Sequence, residues 1–431
     1  MSNLDTIPTF NLKAVVQETG IKPDTLRAWE RRYGLPNPER TSGGHRLYSQ
    51  YDIDMLKWLL DRQGEGLSIS RAVDLWNKLD AEGQSPLISY NEEAATETLL
   101  VEGETIIELR QLWLDACLQF DELQAKRILT QAFALFPTEL VCFELLQKGL
   151  VVVGKGWYEG RISVQQEHFA SAQAVRQLEA LLHAAPPPTQ NGRLLIACAP
   201  EEQHIFSALL LTLLLRHRGW DVVYLGANVP VDHLETAVER IKPLLLIVTA
   251  QTLYTAGKLL AVALFAQEKK LKLAYGGGVF TAIPQTVNHI PGYFLGDDLQ
   301  AAPQLVAQLI NIAKPAPAAA LTAPTYRQAL EQFTNKRAVI EAEVLNNLSE
   351  LDIPLKYLKN ANRDLGNNIV AALTLGNIEL LAANIEWIQG LLVNYHYPMP
   401  EHTLKSYLAV YRQVGDGYLD GPVKTWLAQW E

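Results

Sequence analysis

Between residues 193 and 313, five short apolar runs alternate with amphipathic stretches long enough to be crossover helices. The runs are RLLIACAP, DVVYLGAN, PLLLIVTAQ, LKLAYGGG and GYFLGDD. Apolar strands without a polar face are buried on both sides, and helical crossovers between them make a parallel sheet. Because such crossovers share one hand, the carboxyl ends of the strands gather on one edge, where sheets of this kind carry their ligands. The expected fold over 190–314 is therefore a doubly wound parallel α/β domain.

Three loops open on that edge. The first is Pro200-Glu201-Glu202-Gln203-His204-Ile205-Phe206-Ser207, the second runs from Thr249 through Gln251 to Thr252, and the third is Gly276-Gly277-Gly278. A histidine there can ligate a metal, and an acid two residues earlier can bond its other ring nitrogen and fix the tautomer. Small residues after the third and fourth strands would clear a slot for a slender ligand group. The first loop has no GxGxxG, so a nicotinamide-type site fits less well.

The chain is long enough for several domains, and three stretches read as linkers: Asp80 to Thr98, Ala184 to Gly192 with its three prolines, and the Ala/Pro-rich Lys314 to Pro324. They divide it into 1–80, 100–185, 190–314 and 325–431. No apolar run reaches the ~20 residues of a membrane span. Together with three scattered cysteines in apolar runs, this points to a cytoplasmic protein with free buried thiols and no membrane partner. The formal net charge is −10, so any binding to nucleic acid must be local.

Such a local site exists near the start. Pro23 and Asp24 open a helix anchored inward by Leu26 and Trp29, with Arg27 and Arg31 on its outer face and Arg32 and Tyr33 close by. A glycine-tipped hairpin follows, with Arg40 and Arg46 on its arms, His45 near its tip and Tyr48 at its end. From Lys22 to Arg46 there are six Lys/Arg against three Asp/Glu, the footprint of phosphate contacts around a recognition helix. The run LRAWERRYGLPNPERTSGGHRLYS resembles the MerR family of winged helix-turn-helix regulators. The resemblance implies that Arg27, Arg31, Arg32 and Tyr33 lie in or beside the major groove of double-stranded operator DNA, and that Arg40, His45, Arg46 and Tyr48 belong to the wing. Most would hold phosphates and set register, leaving few to read bases.

Residues 104–183 carry four helix-length apolar patterns and predict a four-helix bundle. Trp157 closes the third helix, and Glu167-His168 stand early in the fourth, so the three converge on one end of the bundle. By themselves they read as a core anchor and surface polar residues. Beside the sheet loops they read differently. The spacing Glu202-x-His204-x-x-Ser207, then 41 residues, then Thr249, then the glycine run resembles the fingerprint of cobalamin-binding domains, whose fold is flavodoxin-like. The resemblance makes His204 the lower axial cobalt ligand, Glu202 its orienting partner, and Thr249, Gln251 and Gly276-Gly277-Gly278 neighbours of the nucleotide tail.

A MerR head, a helical cap and a cobalamin domain, in that order, resemble the light-sensing, adenosylcobalamin-dependent repressors of carotenoid genes. Their cap has a tryptophan, nine residues, then Glu-His, as Trp157 and Glu167-His168 do here. The resemblance implies that Trp157, Glu167 and His168 meet the adenosyl face, and that ligand-filled modules assemble into a dimer or tetramer. Two positions depart from it. Ser207 stands where the fingerprint has glycine, and Tyr158 stands where the light sensors have a histidine that takes the upper cobalt position. A phenol with a pKa near ~10 is a poor cobalt ligand at neutral pH.

The expectation is thus a non-enzymatic DNA-binding regulator under the control of cobalamin, in its adenosyl form, with light as a possible second input by another photochemistry. The alternatives are a MerR-type regulator with a degenerate pocket for another ligand or chromophore, and a corrinoid methyl carrier. The fourth block predicts helices over 325–347, 353–374, 377–395 and 400–430, a C-terminal helical domain of unassigned role. Its Trp387, Trp426, Trp430, Tyr395-His396-Tyr397 and His402 are read as core or surface residues.

Overall fold

The computed structural model describes residues 8–40, 46–64, 68–81, 105–312, 322–348, 355–381 and 401–429. His45, Trp387, Tyr395-His396-Tyr397, Trp430 and the larger part of two expected linkers lie outside the described residues, as does the His402 side chain. The chain forms two compact units, Met1–Thr105 and Ile106–Glu431.

In the first unit, β1 (Phe10–Asn11) leads into α1 (Leu12–Thr19), whose first turn is capped by Asn11 Oδ1 accepting the Ala14 N–H at 3.0 Å. Next come α2 (Pro23–Tyr33) and an antiparallel sheet of β1, β3 (Arg46–Tyr48) and β2 (Glu39–Arg40). Arg40 is paired with Arg46 across the hairpin. Ser49 and Asp52 cap each other reciprocally at the start of α3 (Gln50–Gly64), and α4 (Ile69–Ala81) follows. Leu26, Trp29, Leu56, Trp58 and Trp76 are buried in one small core, with the last two rings edge to face at 5.3 Å.

The second unit opens with the four-helix cap. It comprises α5 (Ile106–Leu118), α6 (Glu122–Leu135), a third helix that enters through Thr138–Leu140 and the π-helical segment Val141–Gln147 to become α7 (Lys148–Tyr158), and α8 (Val164–His183). Fully buried Trp113 anchors it, lying so close to Gly149 that an added Cβ would be 2.9 Å from the ring. After the extended linker come β4 (Arg193–Cys198), α9 (Phe206–His217), β5 (Asp221–Tyr224), α10 (Leu234–Ile241), β6 (Leu245–Thr249), α11 (Leu253–Glu268), β7 (Leu273–Gly276), α12 (Gly278–Ala282), β8 (Tyr293–Phe294) and α13 (Ala302–Asn311). All five predicted strands are present, parallel, in the order β5-β4-β6-β7-β8. Alternate residues of β4 serve opposite faces: Leu194 and Ile196 pack with α9 and α13, Leu195 with α11.

The fourth block supplies α14 (Pro324–Asn347), α15 (Leu355–Leu375), a 3-10 turn at Ile378–Leu381, α16 (Glu401–Gly415) and α17 (Pro422–Leu427). The single helix expected over 400–430 is two helices. Gly421 takes a left-handed φ of 67° and Pro422 restarts the helix, so the chain reverses there. Phe333, Ile369, Ala372, Tyr407 and Trp426 of this block belong to one buried apolar cluster with Leu253, Ala256, Leu260 and Ala263 of α11. At the crossing of α11 and α15, a Cβ on Gly257 would come within 2.9 Å of the Ala371 Cβ, so the two backbones touch. The block is helical, as expected, and continuous with the core of the sheet.

Candidate functional site

The loop after β4 is built by a tight turn. Ala199 accepts the Glu202 N–H at 3.0 Å, with Pro200 second and Glu201 third in the turn. The turn sends Glu202 inward, 1% exposed, and lets His204 emerge two residues later with 70% of its side chain accessible. Glu202 Oε1 accepts both the backbone N–H of His204 at 2.9 Å and a hydrogen bond from its Nδ1 at 2.6 Å. Glu202 Oε2 accepts the Gln251 N–H at 2.7 Å and the Thr255 hydroxyl at 2.6 Å. Burial by itself would raise the Glu202 carboxyl, but the hydrogen bonds from His204 and Thr255 outweigh it and hold the group below the usual carboxylate range. The same bond from Glu202 raises the His204 pKa against the opposing effect of burial, and the Glu167 carboxylate of the cap adds to the rise. With Nδ1 engaged, Nε2 is the nitrogen left for a metal.

Glu167 therefore stands within electrostatic reach of His204. Glu167 accepts from His168 Nδ1 at 2.6 Å and from the Ser171 hydroxyl at 2.6 Å, while the His168 side chain is 75% exposed. Ser163 and Gln166 form a capping box at the start of α8, and Gln166 Nε2 also donates to the Leu118 carbonyl at 2.8 Å. These bonds fix the turn that carries Glu167. Trp157 ends α7 half-buried, and Tyr158 follows it in the same state.

The other expected residues take varied places. Ser207 lies half-buried in the first turn of α9 with an ordinary helical backbone, so the absent glycine costs no strain there. Thr249 is buried and its hydroxyl donates to Cys198 Sγ at 3.5 Å. Gln251 Oε1 accepts the Gly278 N–H at 2.7 Å, tying the second and third loops together. Gly277 has a φ of 128°, and a side chain there would run into the Ala250 carbonyl. Around Gly276, by contrast, nothing lies nearer to an added Cβ than Leu295 at 3.9 Å. The glycine run thus combines a backbone constraint at one position with open space at another. An exposed imidazole oriented by a buried acid suits a metal that would take one nitrogen ligand from the protein.

In the first unit, Arg31 and Arg32 are exposed on α2, with Arg32 5.5 Å from the Tyr33 ring centroid. Arg27 is paired with Asp24 at 3.3 Å, and Arg40 is exposed on the wing arm. Tyr48 corrects the sequence reading. It is fully buried, its hydroxyl donates to Glu30 Oε1 at 2.7 Å, and burial together with that bond pushes its pKa up, so it braces the wing from within. Arg46 Nε donates to the other oxygen of Glu30 at 2.8 Å. Glu30 is thus the residue that joins recognition helix to wing, and sequence reasoning counts it only as a charge. Thr255 is missed in the same way. Its signal is a hydroxyl in the first turn of the helix that follows Thr249.

A winged helix-turn-helix reader, in one chain with a helical cap and a flavodoxin-like sheet bearing an acid-anchored histidine, defines a MerR-type transcription regulator with a cobalamin-binding module. Residues 10–79 match the MerR HTH family of regulatory proteins, and residues 109–182 and 192–306 match two B12 binding domain families. The HTH-type transcriptional repressor CarH of Myxococcus xanthus is 34% identical over 235 residues, 54% of this chain and 76% of that protein. CarA of the same organism, also an HTH-type transcriptional repressor, is 31% identical over 238 residues, 54% of this chain and 74% of that one. The transcriptional regulator MlrA of Escherichia coli is 29% identical over 136 residues, 32% of this chain and 54% of that protein. The chain belongs to the family of MerR-type regulators with B12-binding domains that includes CarH and CarA. Among the described residues, no helix is long and apolar enough to cross a membrane.

Proposed function

We propose that this chain is a cytoplasmic repressor whose assembly or operator binding is set by cobalamin in its adenosyl form. One arrangement carries the reading: an exposed imidazole, anchored through Nδ1 on the buried Glu202, whose other oxygen is held by the Gln251 N–H and the Thr255 hydroxyl. Bound cobalamin would supply a cobalt centre that accepts an imidazole as axial ligand, together with a light-absorbing corrin. His204 Nε2 is that ligand in this reading, Glu202 orients it, and Thr255 and the Gln251 N–H hold Glu202. Trp157, Glu167 and His168 close the adenosyl face, while Ser207, Thr249, Gln251 and Gly276-Gly277-Gly278 border the nucleotide tail. Arg27, Arg31, Arg32, Tyr33 and Arg40 face the phosphates of double-stranded DNA. Joining two or four chains through filled modules multiplies the DNA heads and raises operator affinity through effective concentration.

The test is an ultraviolet–visible spectrum of the protein mixed with adenosylcobalamin in the dark, desalted, and then exposed to green light. A retained corrin spectrum that is lost or shifted in His204→Ala supports the site. A light-induced change would add photoreception that needs no histidine at position 158. No retained colour would overturn the cobalamin reading and favour a second one, a MerR-type regulator with a different ligand, for which the departures at Ser207 and Tyr158 speak.

A further inference from the structure

Glu201 has a φ of 65°, a left-handed conformation that a glutamate rarely adopts. It is the third residue of the turn from Ala199 to Glu202, where positive φ is ordinarily supplied by glycine. Three groups hold it there. Asn228 Oδ1, from the loop after β5, accepts the Glu201 N–H at 2.7 Å, and the Asn228 N–H donates to the Glu202 carbonyl at 2.9 Å. The Tyr254 hydroxyl donates to Glu201 Oε2 at 2.6 Å, and Lys258 Nζ pairs with Oε1 at 2.7 Å. Lys258 also lies 5.1 Å from the Tyr254 ring centroid, closing the cluster. Tyr254 and Lys258 lie on α11, one residue before and three after Thr255, the hydroxyl that holds Glu202. The turn is therefore tied both to the helix that anchors Glu202 and to the neighbouring loop. A glycine would make the same turn with less strain and keep the bond to Asn228, but would lose the tie to Tyr254 and Lys258 on α11.

We infer that Glu201, clasped by Tyr254, Lys258 and Asn228, is a positioning residue that sets the direction in which His204 leaves the sheet edge, and so presets it for metal ligation. The inference rests on the reading of His204 as the cobalt ligand. In this reading Glu201 acts through the turn that carries His204 and is not itself a ligand.

The experiment loads the full chain, carrying heavy-nitrogen histidine, with cobalamin reduced to the cobalt(II) state. Electron paramagnetic resonance then gives the share of cobalt bearing a protein imidazole, because the label splits the signal into a doublet where benzimidazole nitrogen gives a triplet. Glu201→Gly, Lys258→Met and Asn228→Ala should each lower the ratio of histidine-ligated to histidine-free cobalt, by about two- to fivefold for loss of an ion pair this exposed. Lys258→Arg should restore it. In the ligand-free protein, the His204 and Gln251 amides, both bonded to Glu202, should exchange hydrogen faster in the same variants while the β4 and β6 amides hold. Wild-type ratios in all three variants, with unchanged exchange, would overturn the positioning role and leave His204 as the ligand. Faster exchange throughout the sheet would overturn it too, in favour of general destabilisation. A wild-type protein lacking the doublet would instead overturn the ligand reading itself.

Discussion

Two helical blocks flank the parallel sheet, and they meet it on different helices and with a different share of polar links. The C-terminal helices α14–α17 meet it through apolar side chains that pack with α11 in a single buried cluster. The cap meets α9, whose Leu209, Leu210, Leu213 and Leu214 are buried, and polar links join the two blocks at the end of that helix. Arg218 pairs with Glu139 at 2.9 Å with both side chains more than a third exposed, and Arg216 donates to the Leu182 carbonyl at 3.3 Å. Exposed ion pairs are worth about 0–1 kcal/mol, whereas a single large apolar side chain in a core is worth several. The C-terminal joint backs the helix whose first turn holds Glu202. The cap joint has its apolar part along α9 and its exposed polar links at the end of that helix. A flat ligand that must enter beside His204 needs a neighbour that can yield, and a margin held by exposed ion pairs opens more easily than a buried one.

The comparison breaks first at the core residues. Phe333→Ala in α14 removes a fully buried ring and should cost about 3–5 kcal/mol. Because that ring shares its cluster with α11, hydrogen exchange should accelerate in the sheet and the C-terminal helices together. Trp113→Ala in the cap should cost a similar amount, about 3–5 kcal/mol, but accelerate exchange in α5–α8 and spare β4 and β6. If both variants loosen the same amides, the two joints are equivalent and the contrast is lost.

Gly257→Leu sharpens the contrast at lower cost. The new side chain would have to displace Ala371, since even a Cβ comes within 3.0 Å of its Cα. Overpacking of this kind costs about 1–3 kcal/mol. The strain enters α11 two residues beyond Thr255, so it should weaken the grip on Glu202 as well as lower the denaturant midpoint. Retention of cobalamin after desalting reads the first effect, and urea unfolding the second. A lowered midpoint with unchanged retention would separate the C-terminal block from the site.

The legibility of these regions in the sequence follows the same division. The five strands are readable because each is apolar on both faces and bounded by glycine, proline or polar residues. The pairing of His204 with Glu202 is readable because the spacing states a chemical relation, an imidazole and the acid that orients it. Thr255 is not, because a threonine in the first turn of a helix looks like any cap, and its partner lies 53 residues away in the chain. Glu30 is passed over and Tyr48 misread for a related reason. An acid in a basic segment reads only as a charge and an aromatic on a wing suggests contact with DNA, and only the fold shows them spending their polar atoms on each other. The docking of α14–α17 leaves no local mark at all. An apolar stripe on α15 has the same pattern whether it faces sister helices or α11.

The smallest expected effect is the most discriminating. Arg218→Ala removes the ion pair to Glu139 and should change stability by about 0–1 kcal/mol, within the error of a denaturant midpoint. Its consequence should appear in kinetics. If this pair pins the margin of the cap beyond its apolar contact on α9, cutting it lets that margin open more often, and cobalamin should both enter and leave faster with little change in affinity. Stopped-flow absorbance during loading and release measures both rates. Equal rates in Arg218→Ala and wild type would mean that the buried leucines of α9 hold the cap by themselves, as the apolar cluster holds the C-terminal block.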